Sequence, residues 1–321
     1  MPRFSCASLI MLLALAGCSS GDPVSPAVDV SVPAKVEPPP RVTHTLRHQF
    51  TKGTVEHRMS TINIKQLAGG IEVPIDITHY SQWTTEEVLE DGSGRLSYSV
   101  PRVVFKMAAP AGGVVRYDSD DGEEPDSPLW AQLKPEAEFR LKTKFSCVVS
   151  PTGDVSDVNI PGDVREMMKK NVGTASSDPV EYLTADTRSY FVSYPAEPVA
   201  IGDTWNSETK LSQLGGTFET KTVRTLGEVK SDSDPSTVVI SGALTQKSEF
   251  PADATFLIRV VPGATEELEV ELKSGRLVKK VTRQATEMVI KVMGIEQTIK
   301  RNVEMTIVPY VAPADKPEAG N

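Results

Sequence analysis

Apolar and polar residues alternate with a period of two along several stretches of the chain, and this constrains its fold more than any other feature. Ile71, Val73, Ile75 and Ile77 alternate with Glu72, Pro74, Asp76 and Thr78, and the pattern runs on toward Trp83. Phe139, Leu141, Phe145, Cys147 and Val149 share one phase against Arg140, Lys142 and Lys144. Leu268, Val270 and Leu272 alternate with Glu267, Glu269, Glu271 and Lys273, and Ile295, Ile299, Val303, Met305 and Ile307 keep a single parity near the end. Successive side chains of a strand point to opposite faces, so each run has one face to bury and one to wet, the mark of antiparallel sheet. The expected fold is mainly β: an antiparallel meander of about a dozen strands forming a curved open sheet or half-barrel.

Turn chemistry supports this. Ser93-Gly94-Arg95-Leu96, Thr152-Gly153-Asp154-Val155 and Ser274-Gly275-Arg276-Leu277 each lie between strand-like runs, and glycine supplies the positive φ of short hairpins. The repeated Ser-Gly-Arg-Leu is compatible with an internal duplication and equally with coincidence; the β-rich halves fall at about 43–158 and 203–310. A short two-helix segment is expected between them, over about 161–194. Pro161-Gly162-Asp163 opens one helix, with Val164, Met167, Met168 and Val172 on one face and Gly173 at its end. Asp178-Pro179 opens the second, with Val180, Leu183, Tyr190, Phe191 and Tyr194 as its stripe and Pro195 as its stop. The methionine pair is read as core rather than as an adaptable binding face.

The first residues are of another kind. Arg3 supplies a positive charge, and Ala7 to Ala16 is an uncharged apolar run of about ten residues, the length of a signal-peptide core and half of the roughly 20 that a spanning helix needs. Leu15-Ala16-Gly17-Cys18 resembles the lipobox of bacterial lipoproteins. That resemblance implies removal of residues 1–17, lipidation of Cys18 and attachment of the protein to a membrane of the cell envelope, with Ser19 directing it to the outer membrane in a two-membrane organism. Residues 18–42 hold Pro23, Pro26, Pro33, Pro38, Pro39 and Pro40 among small and polar residues and form no core, so they are read as an extended tether. Residues 311–321 have a similar composition and are expected to be a disordered tail, leaving 43–310 as the β domain.

Charge and cysteine count exclude several classes. Of 34 basic residues only Arg3 lies in residues 1–17, so the mature chain carries 33 against 43 acidic residues, a net charge of −10. It has none of the basic excess that nucleic-acid binding wants. Cys6 leaves with the leader and Cys18 is expected to carry lipid, so Cys147 has no intrachain partner and is expected to be a buried, inert thiol.

Each candidate chemical site has a simpler reading. His44 and His48 sit in a stretch read as a strand, where four residues rise about 13 Å, too far for one metal ion. His57 and His79 are isolated. Asp118, Asp120, Asp121, Glu123, Glu124 and Asp126 form an acidic loop, but counting back from Gly122 puts Tyr117 and Ser119 where an EF-hand needs its first ligands. Ser207-Glu208-Thr209-Lys210 matches the bare Ser-x-x-Lys of penicillin-recognising enzymes, but its partner motifs are absent and the segment reads as a strand. No metal or organic cofactor is expected.

After the helices come Tyr194-Pro195-Ala196-Glu197-Pro198-Val199-Ala200-Ile201-Gly202-Asp203-Thr204-Trp205, in which two prolines stiffen the approach, Gly202 permits a turn and Trp205 enters the core as a structural anchor. This segment, with Ser-Pro-Thr-Gly-Asp-Val at 150–155, resembles an uncharacterised family of bacterial secreted lipoproteins, built mainly of antiparallel strands around a short helical segment. The resemblance carries no activity. The leading expectation is a non-catalytic envelope lipoprotein with a binding or structural role, its partner an envelope protein or extended ligand. The alternatives are a lipid or lipoprotein carrier with a cavity in a curved sheet, and an unrecognised hydrolase.

Overall fold

The computed structural model describes residues 41–312 apart from 69, 109–112, 172–177, 214–215, 231–234, 252–253, 255 and 293–294. Cys18, the tether up to residue 40 and the tail from 313 lie outside the described residues.

The strands are β1 (Thr43–His44), β2 (Val55–Ala68), β3 (Ile71–Val88), β4 (Gly94–Ala108), β5 (Val114–Asp118), β6 (Lys144–Val149), β7 (Val155–Asn159), β8 (Val199–Ala200), β9 (Thr204–Gln213), β10 (Gly216–Lys230), β11 (Thr237–Glu249), β12 (Phe256–Glu271), β13 (Leu277–Val292) and β14 (Ile295–Pro309). β1 pairs with β8, and the other twelve form one antiparallel sheet in the order β7-β6-β4-β3-β2-β14-β13-β12-β11-β10-β9, with β5 added to β4. The curved, open antiparallel sheet read from the alternation is the fold of the protein. Both β-rich halves contribute to it, joined where β14 pairs with β2 from Ile299↔Ala68 to Pro309↔Arg58.

Among the described residues three helices lie between the strands: α1 (Pro128–Lys142), α2 (Gly162–Asn171) and α3 (Pro179–Arg188). α3 packs against both β7 and β9, the two ends of the sheet, and so closes the gap that the curvature leaves. Its Glu181 Oε1 accepts the main-chain N–H of Ser212 on β9 at 2.7 Å, occupying a donor that a bare sheet edge would present.

Two expectations are corrected here. Phe139 and Leu141 do not continue the strand of Phe145, Cys147 and Val149; they belong to α1, and β6 starts at Lys144. Ser127 caps α1 by accepting from Leu129 N, Pro128 occupies the first turn, and Glu136–Arg140 and Glu138–Lys142 pair at helical spacing, which outweighs Pro135 in its interior. The second interior helix ends at Arg188 rather than Tyr194. Ser189 N–H already bonds Asp186 O and Thr187 O, and from there the chain leaves the helix and threads the interior.

That threading segment is held by its carbonyls. Lys280 Nζ donates to Ser189 O at 3.0 Å, Arg58 to Tyr190 O at 2.5 Å, His48 Nε2 bonds Val192 O at 2.9 Å and the Trp205 indole donates to Ser193 O at 2.8 Å. Arg47 donates to Pro195 O at 2.7 Å and also to Ala196 O. Between these anchors Tyr190, Phe191, Val192 and Tyr194 are all buried, and Phe191 meets Trp83 edge-on at 5.1 Å. A buried irregular segment must find partners for its polar main chain, and here side chains from β2, β9, β13 and the 44–50 segment supply them. The concave face of the first half is thus filled by the chain itself.

Candidate functional site

Inward-facing positions of the second half form successive rows around the curve of the sheet. At the end where β9 meets β10, Leu211 opposes Phe218, and on the far side Ile258, Met288 and Ile299 line up across β12, β13 and β14. These five side chains are buried and form one apolar cluster. One step along the strands the rows change character: Thr209 opposes Thr220, and Thr286 opposes Arg301, whose Nε donates to Gln66 Oε1 at 2.9 Å. The next row pairs Ser207 with Thr222 and carries Gln284 opposite Val303. Then come Arg224, Gly242, Glu266 and Thr282 on neighbouring strands. Beyond them Leu226, Ile240 and Leu268 return to the main core. A polar band lies between two apolar layers.

The deepest row of the band holds a charged cluster. Glu266 Oε1 accepts from Arg224 Nε at 2.8 Å, Glu266 Oε2 faces Lys280 Nζ at 2.9 Å, and Arg224 Nη1 donates to Ser207 Oγ at 2.6 Å. Burial raises the Glu266 pKa, but Lys280 and Arg224 beside it more than offset this and hold it at about 2. Gly242 faces this carboxylate because a Cβ there would press on the Glu266 side chain.

The rest of the band is not satisfied internally. Thr220 Oγ1, Thr282 Oγ1 and Gln284 Oε1 are buried without a hydrogen-bond partner, as is Thr187 Oγ1 on α3, and the most exposed of these residues, Thr282, is 92% buried, being 8% accessible. Each buried unmet polar group costs about 1–3 kcal/mol. Three of them in adjoining rows of one band are an unusual concentration of that cost, and the chemistry they offer is hydrogen bonding to a polar group that the chain does not supply.

The structure disperses the residues singled out in the sequence. Ser207 and Lys210 are an odd number of positions apart on β9, so they face opposite ways: Ser207 inward on Arg224, Lys210 outward at 2.7 Å from Glu219. His44 ends the two-residue strand β1, and the expected longer strand there is absent; His48 lies in the irregular chain that follows, buried, its imidazole pulled down to about 4 by burial. His57 Nδ1 and His79 Nε2 are buried without partners, and burial lowers the His79 pKa. No group of three or more metal-ligating side chains gathers among the described residues. The acidic loop is matched by cations: Asp118 takes both Arg102 and Arg116, Asp121 takes Arg116, and Glu124 takes Lys134.

Cys147 is fully buried on β6 and burial pushes its thiol up to about 12. Gly202 adopts φ +88° and donates its N–H to Leu226 O at 2.8 Å, turning the chain into β9. Trp205 follows as a buried residue hydrogen-bonded to the threading segment. Met168 is core and Met167 packs against it. Sequence reading missed the polar band because β13 mixes apolar and polar residues in both phases: Lys280, Thr282, Gln284 and Thr286 point inward, yet Val281 and Val289 of the other phase are also buried.

A family of unknown function, DUF6263, matches residues 91–275, more than half of the chain. The chain belongs to this family. The DUF6263 match runs from the β3–β4 turn to the β12–β13 turn and takes in all three helices, the threading segment, Trp205, Arg224 and Glu266. No curated protein matches the chain. Among solved structures, lipovitellin is similar at 10% identity and TM-score 0.47 over 85% of this chain, which spans only 27% of that one. A provisionally assigned lipoprotein of Parabacteroides distasonis ATCC 8503 is similar at 11% identity and TM-score 0.29, covering 83% of this chain and 97% of that one. DynF of the dynemicin biosynthesis pathway of Micromonospora chersina is similar at 6% identity and TM-score 0.24, covering 90% and 94%. Likenesses this low carry no argument about function.

Proposed function

We propose that this DUF6263 protein is a lipid-anchored envelope protein that binds a ligand in the interior of its half-barrel without transforming it. The observation that supports this reading is the polar band: Thr220, Thr282 and Gln284 present buried, unmet hydrogen-bonding groups on neighbouring rows. A catalytic reading finds no activated group there. Ser207 Oγ accepts from a guanidinium, which takes no proton, and Glu266 is kept ionised by two cations at a pKa far below that of a working base. Strand addition at the two end strands β7 and β9 is also disfavoured, since α3 packs on both. The apolar row of Leu211, Phe218, Ile258, Met288 and Ile299 beside the band favours an amphipathic ligand, the carrier variant of the same reading.

The test is direct. Protein purified from its own envelope, denatured and extracted, is expected to release a stoichiometric small molecule detectable by mass spectrometry. The Thr282→Val/Gln284→Leu variant is expected to lose that molecule while melting at or above the wild-type temperature, because two buried unmet groups are removed. An empty wild type, with a variant merely more stable, overturns the reading.

Anchoring is tested separately. A fatty-acid analogue is expected to label the wild-type protein in cells and not the Cys18→Ala variant, as lipidation of Cys18 after the Leu15-Ala16-Gly17 stretch requires. Equal labelling removes the anchor from the reading.

A further inference from the structure

The inner face of the second half changes chemistry from its floor to its mouth. The floor is the row of Arg224 and Glu266, where the sheet meets the threading segment: Lys280 Nζ, which faces Glu266, also donates to Ser189 O, and Trp205, opposite Arg224, donates to Ser193 O. Arg224 and Lys280 are two cations against one carboxylate, all three buried, and each Glu266 oxygen is already taken by one of them. One positive charge is therefore left over out of water, inside a mature chain whose net charge is −10. Keeping such a charge buried is costly unless a counter-charge is supplied. The excess is directed toward the mouth. Arg224 Nη1 donates to Ser207 Oγ at 2.6 Å, one row nearer, and Ser207, accepting there, keeps its own proton to donate. Thr282, whose Oγ1 is unmet, pairs with Glu266 across β12 and β13, and Gln284, whose Oε1 is unmet, follows it toward the mouth. The inner face is not packed solid above this floor. In the row of Thr220 and Thr286, both buried, Gln246 and Val260 between them are only half-buried, as is Leu244 in the row below. The apolar row of Phe218 and its four neighbours then lines the mouth. From Arg224 to Phe218 is six residues of β10, about 20 Å at 3.3 Å per residue, enough to separate the two ends of a single-chain lipid.

We propose that the ligand of the half-barrel is a single-chain amphiphile with an anionic headgroup, a phosphate or a carboxylate, seated against Arg224 with its chain along the apolar row at the mouth. This deepens the binding reading above and rests on it. An oxyanion on the floor supplies the missing counter-charge and accepts from Arg224, from Ser207 and from the unmet Thr282 hydroxyl. A neutral amphiphile would meet the hydroxyls and leave the buried excess charge as it is. A cationic one would add to it.

The test uses the mature Cys18→Ala chain, delipidated on a hydrophobic resin and titrated in a calorimeter with four probes, the lipids each below its micelle concentration. Two are anions, a monoacylglycerol phosphate and a fatty acid of the same chain; the third is the neutral monoacylglycerol, and the fourth is inorganic phosphate. At least one lipid anion is expected to bind about tenfold or more tightly than the monoacylglycerol, the factor that one hydrogen bond to a charged group supplies, and which of the two does so identifies the headgroup. Inorganic phosphate at equal concentration is expected not to displace it, because the chain contributes nothing there. Arg224→Met, which leaves Glu266 and Lys280 as a neutral pair, is expected to bring the affinities for anion and monoacylglycerol together; Lys280→Met removes the same excess charge and replaces it if the first variant does not fold. Equal affinity for anion and monoacylglycerol in the wild type, displacement by inorganic phosphate alone, or a preference that survives both substitutions overturns the proposal. If monoacylglycerol binds as well as the anions, or if no probe binds while native protein still releases a bound molecule, this inference falls and the interior reading stands. If no probe binds and native protein releases nothing, both fall.

Discussion

Replacing Glu266 with alanine is expected to cost about 3–5 kcal/mol, the range for removing one partner of a buried ion pair, against a typical domain stability of about 5–15 kcal/mol. The loss is one of uncompensated charge. Arg224 and Lys280 are each only 7% accessible, and without Glu266 both cations stay buried with Ser207 Oγ and Ser189 O as remaining acceptors. Urea unfolding of the variant is expected to show a much lower midpoint with an unchanged slope. An unfolding free energy within about 0.5 kcal/mol of wild type, the range of ordinary surface substitutions, would show that the cluster is solvated and not part of the core. The same group contributes to the acid limb of stability. Its folded pKa, about 2, lies below the ordinary 4.5, so its contribution is complete above 4.5 and is lost as pH falls toward 2. His48 acts earlier. Its folded pKa of about 4 lies below 6.5 because burial disfavours the imidazolium, so the unfolded chain takes up a proton first and stability starts to fall below pH 6.5. Buried His79, also held below 6.5 by desolvation, acts in the same window, so stability is expected to decline in two stages on acidification, with His48→Gln reducing the first and His48→Gln/His79→Gln flattening it.

How much of this was legible depends on whether one local signal spoke for each segment. Strands β3, β12 and β14 carry an apolar phase facing a wet phase, and the sheet follows from them because only one register buries that phase. Residues 128–149 carried two signals at once. Phe139, Leu141, Phe145 and Cys147 satisfy a period of two, while Trp130, Leu133 and Ala137, all buried, keep the 3–4 spacing of a helix. Ser127-Pro128 at the start decides for the helix, and a capping residue followed by proline was the overlooked clue. Residues 189–196 mislead in the opposite way. Tyr190, Phe191 and Tyr194 fit a helical stripe, but their conformation is set by Lys280, Arg58, His48, Trp205 and Arg47, residues distant in sequence that bind their carbonyls. The polar band was hidden for a related reason: Thr and Gln in a strand read as outward residues, and the inward phase that Thr282, Gln284 and Thr286 share with Met288 is disguised by the buried Val281 and Val289 of the other phase.

Trp205→Ala is expected to lower stability by about 3–5 kcal/mol, as large aromatic to alanine changes in a core do. Two separable losses make up that figure. The indole is 91% buried, being 9% accessible, at the point where Gly202 turns the chain into β9, so its removal leaves a cavity between the sheet's end strand and the segment crossing the interior. Its Nε1 also donates to Ser193 O at 2.8 Å, and that carbonyl lies between the ones held by His48 and Arg47, so its loss leaves a buried acceptor unmet. Trp205→Phe keeps most of the ring volume and removes only the donor, and is expected to cost about 1–3 kcal/mol. The order Trp, Phe, Ala in melting temperature, with the Phe variant between the other two, identifies the residue as a structural anchor through both packing and the hydrogen bond. If Trp205→Ala melts like wild type but no longer carries the molecule extracted from the native protein, the indole belongs to the ligand site and not to the frame. The register makes these alternatives distinct, because Trp205 opposes Arg224 at the deep end of the polar band, where packing against the threading segment and contact with a ligand would engage different faces of the ring.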